Sequence, residues 1–320
     1  MVTQSGFDVL TLPWLDTPRQ AFLTQLQTQK VPHAQLVGID SAYGGELLSV
    51  FMARAAMCSQ PTPAGGCGFC KSCQLFDAGN HPDFYQIEAD GHQIKVDQIR
   101  ELCTRLSATA LQSGRRVAII HHSERLNSAS ANALLKTLEE PGKDTLLLLH
   151  SDTPARLMAT ISSRCQRLPF VAPSKMLIKN WLIQHCQIQE DVTWCLSVVG
   201  GPLKLAESLQ TQTDGTQPSR YQTLLGFRKD WAQSLSSGHL CASLLTISEQ
   251  QIIDALKVLY LLLRQILLKY GDQDAFMQAQ VGNLAAKIMG MCHSLSAMPS
   301  VNYLGLCQSY VLEYREITNK

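Results

Sequence analysis

The strongest constraint on this chain is the make-up of four short runs in its first half. Residues 34–39 (AQLVGI), 83–89 (DFYQIEA), 116–122 (RVAIIHH) and 145–150 (TLLLLH) are mostly apolar and are not punctuated by polar residues at every second position. A strand with one wet face alternates, whereas a continuous apolar strand is covered on both faces. Helix-period stretches at 46–57 and 128–140 separate these runs. In the second, Ala133, Leu134, Leu135 and Leu138 recur at helical spacing, Asn127 or Ser128 supplies an N-cap, and Pro141-Gly142 a stop. Strands alternating with helices predict a parallel sheet with helices on both sides.

The pattern changes after Pro169 and Pro173. Helical periods are expected at 175–186, 190–199, 221–235, 247–270, 274–294 and 301–317, with a polar linker at 210–219 (QTQTDGTQPS). Three domains are expected: an α/β domain at 1–168, a small helical domain at 169–209 and an all-α domain at 216–320. No internal repeat is present.

Charge narrows the classes of function. With 27 Lys+Arg against 26 Asp+Glu the net charge is +1. No Lys/Arg run, Arg115-Arg116 included, exceeds two residues, so nucleic acid is expected to be shared with partners and not wrapped by this chain alone. Residues 255–268 are the greasiest stretch. Lys257 and Arg264 interrupt it, and it is shorter than the ~20 residues that span a bilayer. The N-terminus has neither the basic nor the apolar segment of a secretory signal. A cytoplasmic protein is therefore expected, with its 11 cysteines reduced, buried or metal-bound.

Four of those cysteines, Cys58, Cys67, Cys70 and Cys73, form C-x8-C-x2-C-x2-C, and Gly65, Gly66 and Gly68 permit a tight path between them. Four thiolates suit tetrahedral zinc and leave no position open for water, so a structural ion is expected. The other seven cysteines, among them Cys165 and Cys307, are dispersed and read as packing.

The first apolar run leads through Gly38-Ile39-Asp40-Ser41-Ala42-Tyr43-Gly44-Gly45-Glu46 into a helix, the placement of a phosphate-binding loop. The working pattern is G-x-x-x-x-G-K-[ST]. Here Tyr43 replaces the second glycine, Gly44 the lysine and Gly45 the hydroxyl residue, while Asp40 and Glu46 add negative charge. The amides of a helix start favour an anion by only about 0.3–1 kcal/mol when exposed. The strand expected to carry a magnesium-holding carboxylate ends instead in His121-His122. Those two histidines, adjacent on a strand, would face opposite ways and could not share an ion.

The segment HSERLNSASANALLKTLEEPGKDTLLLL, followed by ISSRC, resembles the AAA+ module of DNA polymerase clamp loaders, and the cysteine insertion is similar to the zinc module of bacterial clamp-loader subunits. The altered loop, with Leu12-Pro13-Trp14-Leu15 and CQLFDAGNHPD, resembles the delta-prime type rather than the ATP-hydrolysing gamma/tau type. That resemblance covers about residues 10–170. It implies a RecA-like parallel sheet, a helical lid, an all-α collar, and zinc on Cys58, Cys67, Cys70 and Cys73. It further implies an SRC motif, Ser163-Arg164-Cys165, in which Arg164 is an arginine finger inserted into a neighbouring subunit's ATP site. No ATP is expected on this chain. The implied partners are gamma/tau and delta subunits and, through the complex, the sliding clamp and primed DNA, with no membrane contact. Lys204, and Asp152 or Ser151, fall near positions that sense nucleotide in active relatives; Lys136 and Glu139-Glu140 read as a solvated helix face in preference to a coupling to neighbours or DNA. Two alternatives are an ATP-hydrolysing subunit of the same type with an atypical loop, and a zinc-bearing nucleic-acid binder acting alone.

Overall fold

The computed structural model describes residues 6–112, 114–188, 190–210, 218–270, 275–295 and 301–318. The chain separates into two compact units, Met1–Trp181 and Leu182–Lys320. The division falls inside one helix, Lys175–Cys186, and not beside Pro169. Most of the expected linker (211–217), and the first residue of the helix expected from 274, lie outside the described residues.

In the first unit β1 (Ala34–Val37), β2 (Phe84–Ile87), β3 (Arg116–Ile120), β4 (Thr145–His150) and β5 (Gln166–Arg167) form one sheet in the order β2-β3-β4-β1-β5, every neighbour parallel. β1, β3 and β4 are buried at every residue, as continuous apolar runs require, while β2 at one edge is half-buried. β5, at the other edge, is two exposed residues without apolar pattern, and nothing in its sequence marks it as a strand.

Of the helices α1 (Asp16–Gln27), α2 (Gly45–Met57), α3 (Lys71–Asp77), α4 (Val96–Ser107), α5 (Ser128–Glu139) and α6 (Ala159–Ser162), α2, α4, α5 and α6 cover the sheet, while α1 and α3 pack on α2. Because side chains alternate along a strand, Leu36, Ala118, Ile120, Leu147 and Leu149 share one face, where they pack with Ile99, Leu102 and Leu106 of α4, Leu134 and Leu138 of α5 and Ile161 of α6. α2 packs on β1, β3 and β4 and is buried along nearly its whole length. The stop and start signals act as expected: Ser130 N donates to Asn127 Oδ1 at 2.9 Å, capping α5.

Among the described residues the second unit is entirely helical. α7 (Lys175–Cys186) leads into it. The helix expected over 190–199 is instead a 3-10 turn (Thr193–Cys195) and one short turn, α8 (Leu196–Val199). Gly200 and Gly201, at φ 97° and 150°, end it in conformations that side chains resist. α9 (Pro202–Leu209), α10 (Arg220–Ser237), α11 (Ala242–Leu245), α12 (Glu249–Tyr270), α13 (Ala275–Ser294) and α14 (Tyr303–Thr318) follow. Trp231 is fully buried and donates its indole N–H to Ala255 O at 2.8 Å, tying α10 to α12. No described helix is long and apolar enough to cross a membrane.

Candidate functional site

Parallel strands end together, so their carboxyl ends form one rim. β1 and β4 pair Val37 with His150, and β3 and β4 pair Ile120 with Leu149. The residues just beyond them, Gly38–Glu46, His121-His122 and Ser151-Asp152, therefore meet.

The loop after β1 is closed on itself. Asp40 caps a 3-10 turn, Ser41–Tyr43, accepting from Ala42 N at 2.7 Å on Oδ1. Tyr43 N and Gly45 N donate to Asp40 O, and Gly44 N to Ser41 O. Ser41 donates both its N–H and its hydroxyl to Asp152 Oδ1, each at 2.8 Å. Every amide from Ser41 to Gly45 is thus spent on an acceptor of the protein. In a phosphate-binding loop those donors face the ligand. The glycines are needed for the chain path: Gly44 sits at φ 89°, and a Cβ on Gly45 would lie 1.8 Å from Ile39 O.

β3 ends at Ile120, two residues earlier than the apolar run suggests, and His122 turns back at φ 49°. Its Nε2 lies 3.1 Å from Glu46 Oε1, and its Nδ1 lies 3.4 Å from Asp152 Oδ2 and 3.8 Å from Glu124 Oε1. The 3.4 Å contact is an ion pair, not an aligned hydrogen bond. Asp152 and then Glu46 raise His122 to about 10, so it stands as an imidazolium at neutral pH. His122 in turn lowers Glu46. Burial would raise Asp152, but His122 and the two Ser41 donors outweigh it and hold that carboxyl well below its usual range. Ser151 Oγ donates to Glu124 Oε2 at 2.7 Å. Beneath the cluster His150 is fully buried, its Nε2 3.0 Å from Ile39 O; burial lowers both it and His121. His121 is buried and does not share the clustered donor atoms of His122, although Glu46 acts on both.

The expected residues of this pocket are all here: Gly38, Tyr43, Gly44 and Gly45 in the loop, His121 and His122 at the end of β3, and Asp152 bonded to the loop. His150, Glu124 and the Ser41 hydroxyl were not foreseen. One signal was available for His150, a lone imidazole ending the apolar run TLLLLH.

The cysteine loop lies at the other end of α2. The sulfurs of Cys58, Cys67, Cys70 and Cys73 all lie within 4.8 Å of one another, and Cys58 Sγ is 3.9 Å from Cys70 Sγ. Four sulfurs at about 2.3 Å from one tetrahedral ion stand about 3.8 Å apart. Backbone N–H groups point at the sulfurs: Gln60 N and Cys67 N at Cys58, Cys70 N at Cys67, Cys73 N at Cys70, all 3.2–3.4 Å. Such donors stabilise thiolates. Burial raises Cys70, but the Ser59 and Cys73 donors outweigh it and bring the thiol to about 6, whereas burial outweighs the donors at Cys58 and pushes Cys73 up to about 12, so a cation is needed to hold all four as thiolates. Arg54 of α2 fastens the loop, donating to Gly66 O and forking onto Asp77 at 2.7 and 2.8 Å. Donor type, spacing and second-layer bonds fit a closed four-thiolate zinc site. Of the other cysteines, burial pushes Cys165 up to about 11 and Cys307 to about 12, as packing residues.

Arg164 follows α6 and is exposed at the edge of the sheet, just before β5. Its Nη2 pairs with Glu139 Oε1 at 2.6 Å and Nη1 donates to Thr160 O at 3.0 Å. Ser163 is exposed beside it, and Cys165 is buried in the core. Lys136 on α5 and Glu140 just after it are exposed, but Glu139 is the partner of Arg164 and not merely part of a solvated face. Lys204 is exposed in the first turn of α9, in the second unit.

Residues 16–174 match the family described as "DNA polymerase III, delta subunit". A DNA polymerase III subunit delta' of Pseudomonas aeruginosa is 36% identical over 236 residues, 72% of this chain and 70% of that protein. The subunit delta' of Haemophilus influenzae is 39% identical over 181 residues, covering 56% and 55% of the two chains. A subunit tau/gamma of the same organism is 30% identical over 172 residues, 54% of this chain and 25% of that one. With a match to the Pseudomonas protein running through more than two thirds of both sequences, the chain belongs to the DNA polymerase III delta' subunit family.

Proposed function

We propose that this chain is a non-hydrolysing structural subunit of a bacterial clamp loader, with an AAA+ first unit and a helical collar in the second. It assembles with gamma/tau and delta subunits in the cytoplasm and helps to place the sliding clamp on primed DNA. The observation that carries the reading is the filled pocket. The amides that would cradle phosphate are bonded within the protein, and Glu46, Glu124 and Asp152 crowd round the imidazolium of His122. An incoming triphosphate would have to break those bonds and face three carboxylates. No lysine or hydroxyl residue stands at the loop positions that hold phosphate and magnesium. The pocket serves as scaffold, joining the ends of β1, β3 and β4.

Arg164 supplies chemistry elsewhere. A rigid guanidinium at an exposed edge can enter a neighbour's ATP site and neutralise charge on the transferring phosphoryl group, an effect of ~10³–10⁵ in rate. Glu139 holds it ready in the free chain. Zinc on Cys58, Cys67, Cys70 and Cys73 would close the loop between α2 and α3 and take no part in catalysis.

Equilibrium binding of labelled ATP to the isolated chain, with and without magnesium, tests the scaffold reading. No magnesium-dependent binding is expected in the micromolar range; tight magnesium-dependent occupancy would favour the ATP-hydrolysing alternative. In a loader reconstituted with gamma/tau and delta, Arg164→Ala should sharply reduce DNA-stimulated ATP turnover, and unchanged turnover would remove the finger.

A further inference from the structure

At the end of the sheet opposite the His122 cluster, a cleft of about 1000 Å³ opens between the cysteine loop and the segments leading into β3 and β4. Arg116 starts β3, and the His122 cluster lies beyond the other end of that strand, four residues or about 13 Å along it. The walls carry Lys71, Arg115, Arg116 and Lys143, with Asp144 the one carboxylate.

The two arginines are unusual in their surroundings. Arg116 is only 5% exposed. Its Nη2 donates to Lys143 O at 2.7 Å, but Nε and Nη1 are buried without a partner, as is Nη1 of Arg115. Among the described residues neither arginine makes an ion pair with a carboxylate; Asp144 acts on Arg115 only from a longer distance. A guanidinium does not lose its proton, so burial cannot be relieved by neutralisation. A buried charge without a counter-ion is costly. Two such groups, in a cleft whose one carboxylate is Asp144 and whose thiolates lie on the opposite, cysteine-loop wall, call for an anion from outside.

We propose that this cleft binds a polyphosphate-type anion carrying about three negative charges in sequence. The three cations away from the cysteine loop, Arg115, Arg116 and Lys143, set that number, and the planar fork of arginine suits phosphate oxygens. Two sources offer the same chemistry: a free polyphosphate, as on a nucleotide, or successive phosphodiesters of a single strand. Neither uses the loop after β1.

The test uses the full chain, titrated with inorganic tripolyphosphate by calorimetry and with a labelled oligothymidylate by anisotropy. Binding of tripolyphosphate alone assigns a free polyphosphate, and binding of the strand assigns the phosphodiester backbone; both support the cleft. Arg115→Gln with Lys143→Gln, at half-buried and exposed positions, should weaken binding at least about tenfold while intrinsic tryptophan fluorescence stays native. For three phosphates of a single strand, the slope of log affinity against log salt should be about −2. Magnesium, by masking phosphate charge, should weaken this binding, whereas at a working phosphate loop it would strengthen it, which keeps the two sites apart. Failure of both probes to bind, or binding that the double variant leaves unchanged, would overturn the proposal.

Discussion

Replacing His122 by Gln removes the one cation among Glu46, Glu124 and Asp152 while keeping a side chain of similar reach. In the folded protein His122 is raised from 6.5 to about 10. A rise of that size corresponds to about 5 kcal/mol as a ceiling. Solvent reaches the imidazole, whose side chain is 24% exposed, and screening brings the expected contribution to about 2 kcal/mol. The sign follows from linkage. A group whose folded value lies above its unfolded value stabilises fully below 6.5, and that stability is lost as pH rises towards 10. Glu46 and Asp152 act in the other direction: their contribution, present above about pH 4, is lost in acid as they take up protons. Urea unfolding of the first unit, followed by the fluorescence of its buried Trp14 and Trp181, should therefore separate wild type from His122→Gln by about 2 kcal/mol near pH 6. The gap should close towards pH 10. Proton NMR of the ring Cε1–H gives the direct reading: the resonance absent from the variant should remain that of an imidazolium through pH 8. A His122 that titrates near 6.5, or a stability gap that does not change with pH, would refute the imidazolium account.

Metal analysis of the purified chain should find close to one zinc per molecule, and Cys73→Ala should take it far below one; a zinc-free wild type would undo the four-thiolate assignment. Gly45→Ala should destabilise the first unit by at least about 3 kcal/mol, because its Cβ meets the Ile39 carbonyl, and a thermal melt unchanged from wild type would contradict the loop path. Leu134→Ala, at the centre of the helix layer over β3 and β4, should cost about 3 kcal/mol in denaturant unfolding. In the reconstituted loader Glu139→Gln should alter ATP turnover far less than Arg164→Ala, since it orients the guanidinium and does not reach the phosphate; equal losses would show that the ion pair, not the cation, is what matters.

The loop after β1 divides into what is local and what is not. Tyr43, Gly44 and Gly45 stand where glycine, lysine and a hydroxyl residue would be needed, and that substitution alone predicts lost phosphate chemistry. What occupies the space was not legible. Asp152 is 111 residues from Ser41, and their two hydrogen bonds exist only because β1 and β4 lie side by side. The same holds for Arg164 and Glu139: each can be picked out as a charged residue, but only the packing of α5 beside the sheet edge makes them partners.

Periodicity and stop signals are short-range physics, and they mark β1 to β4, α5 and the long helices α7, α10, α12, α13 and α14 to within a few residues, but not the short α8, α9 and α11. The four cysteines are equally local, since sixteen residues hold all the donors. Strand order, the two-residue edge strand β5, the left-handed turn at His122 and the unpaired guanidiniums beside the cysteine loop depend on which distant segments are brought together. A carboxylate or a guanidinium acquires its partner, its burial and hence its proton affinity from that assembly, and those quantities exist only once the sheet has formed.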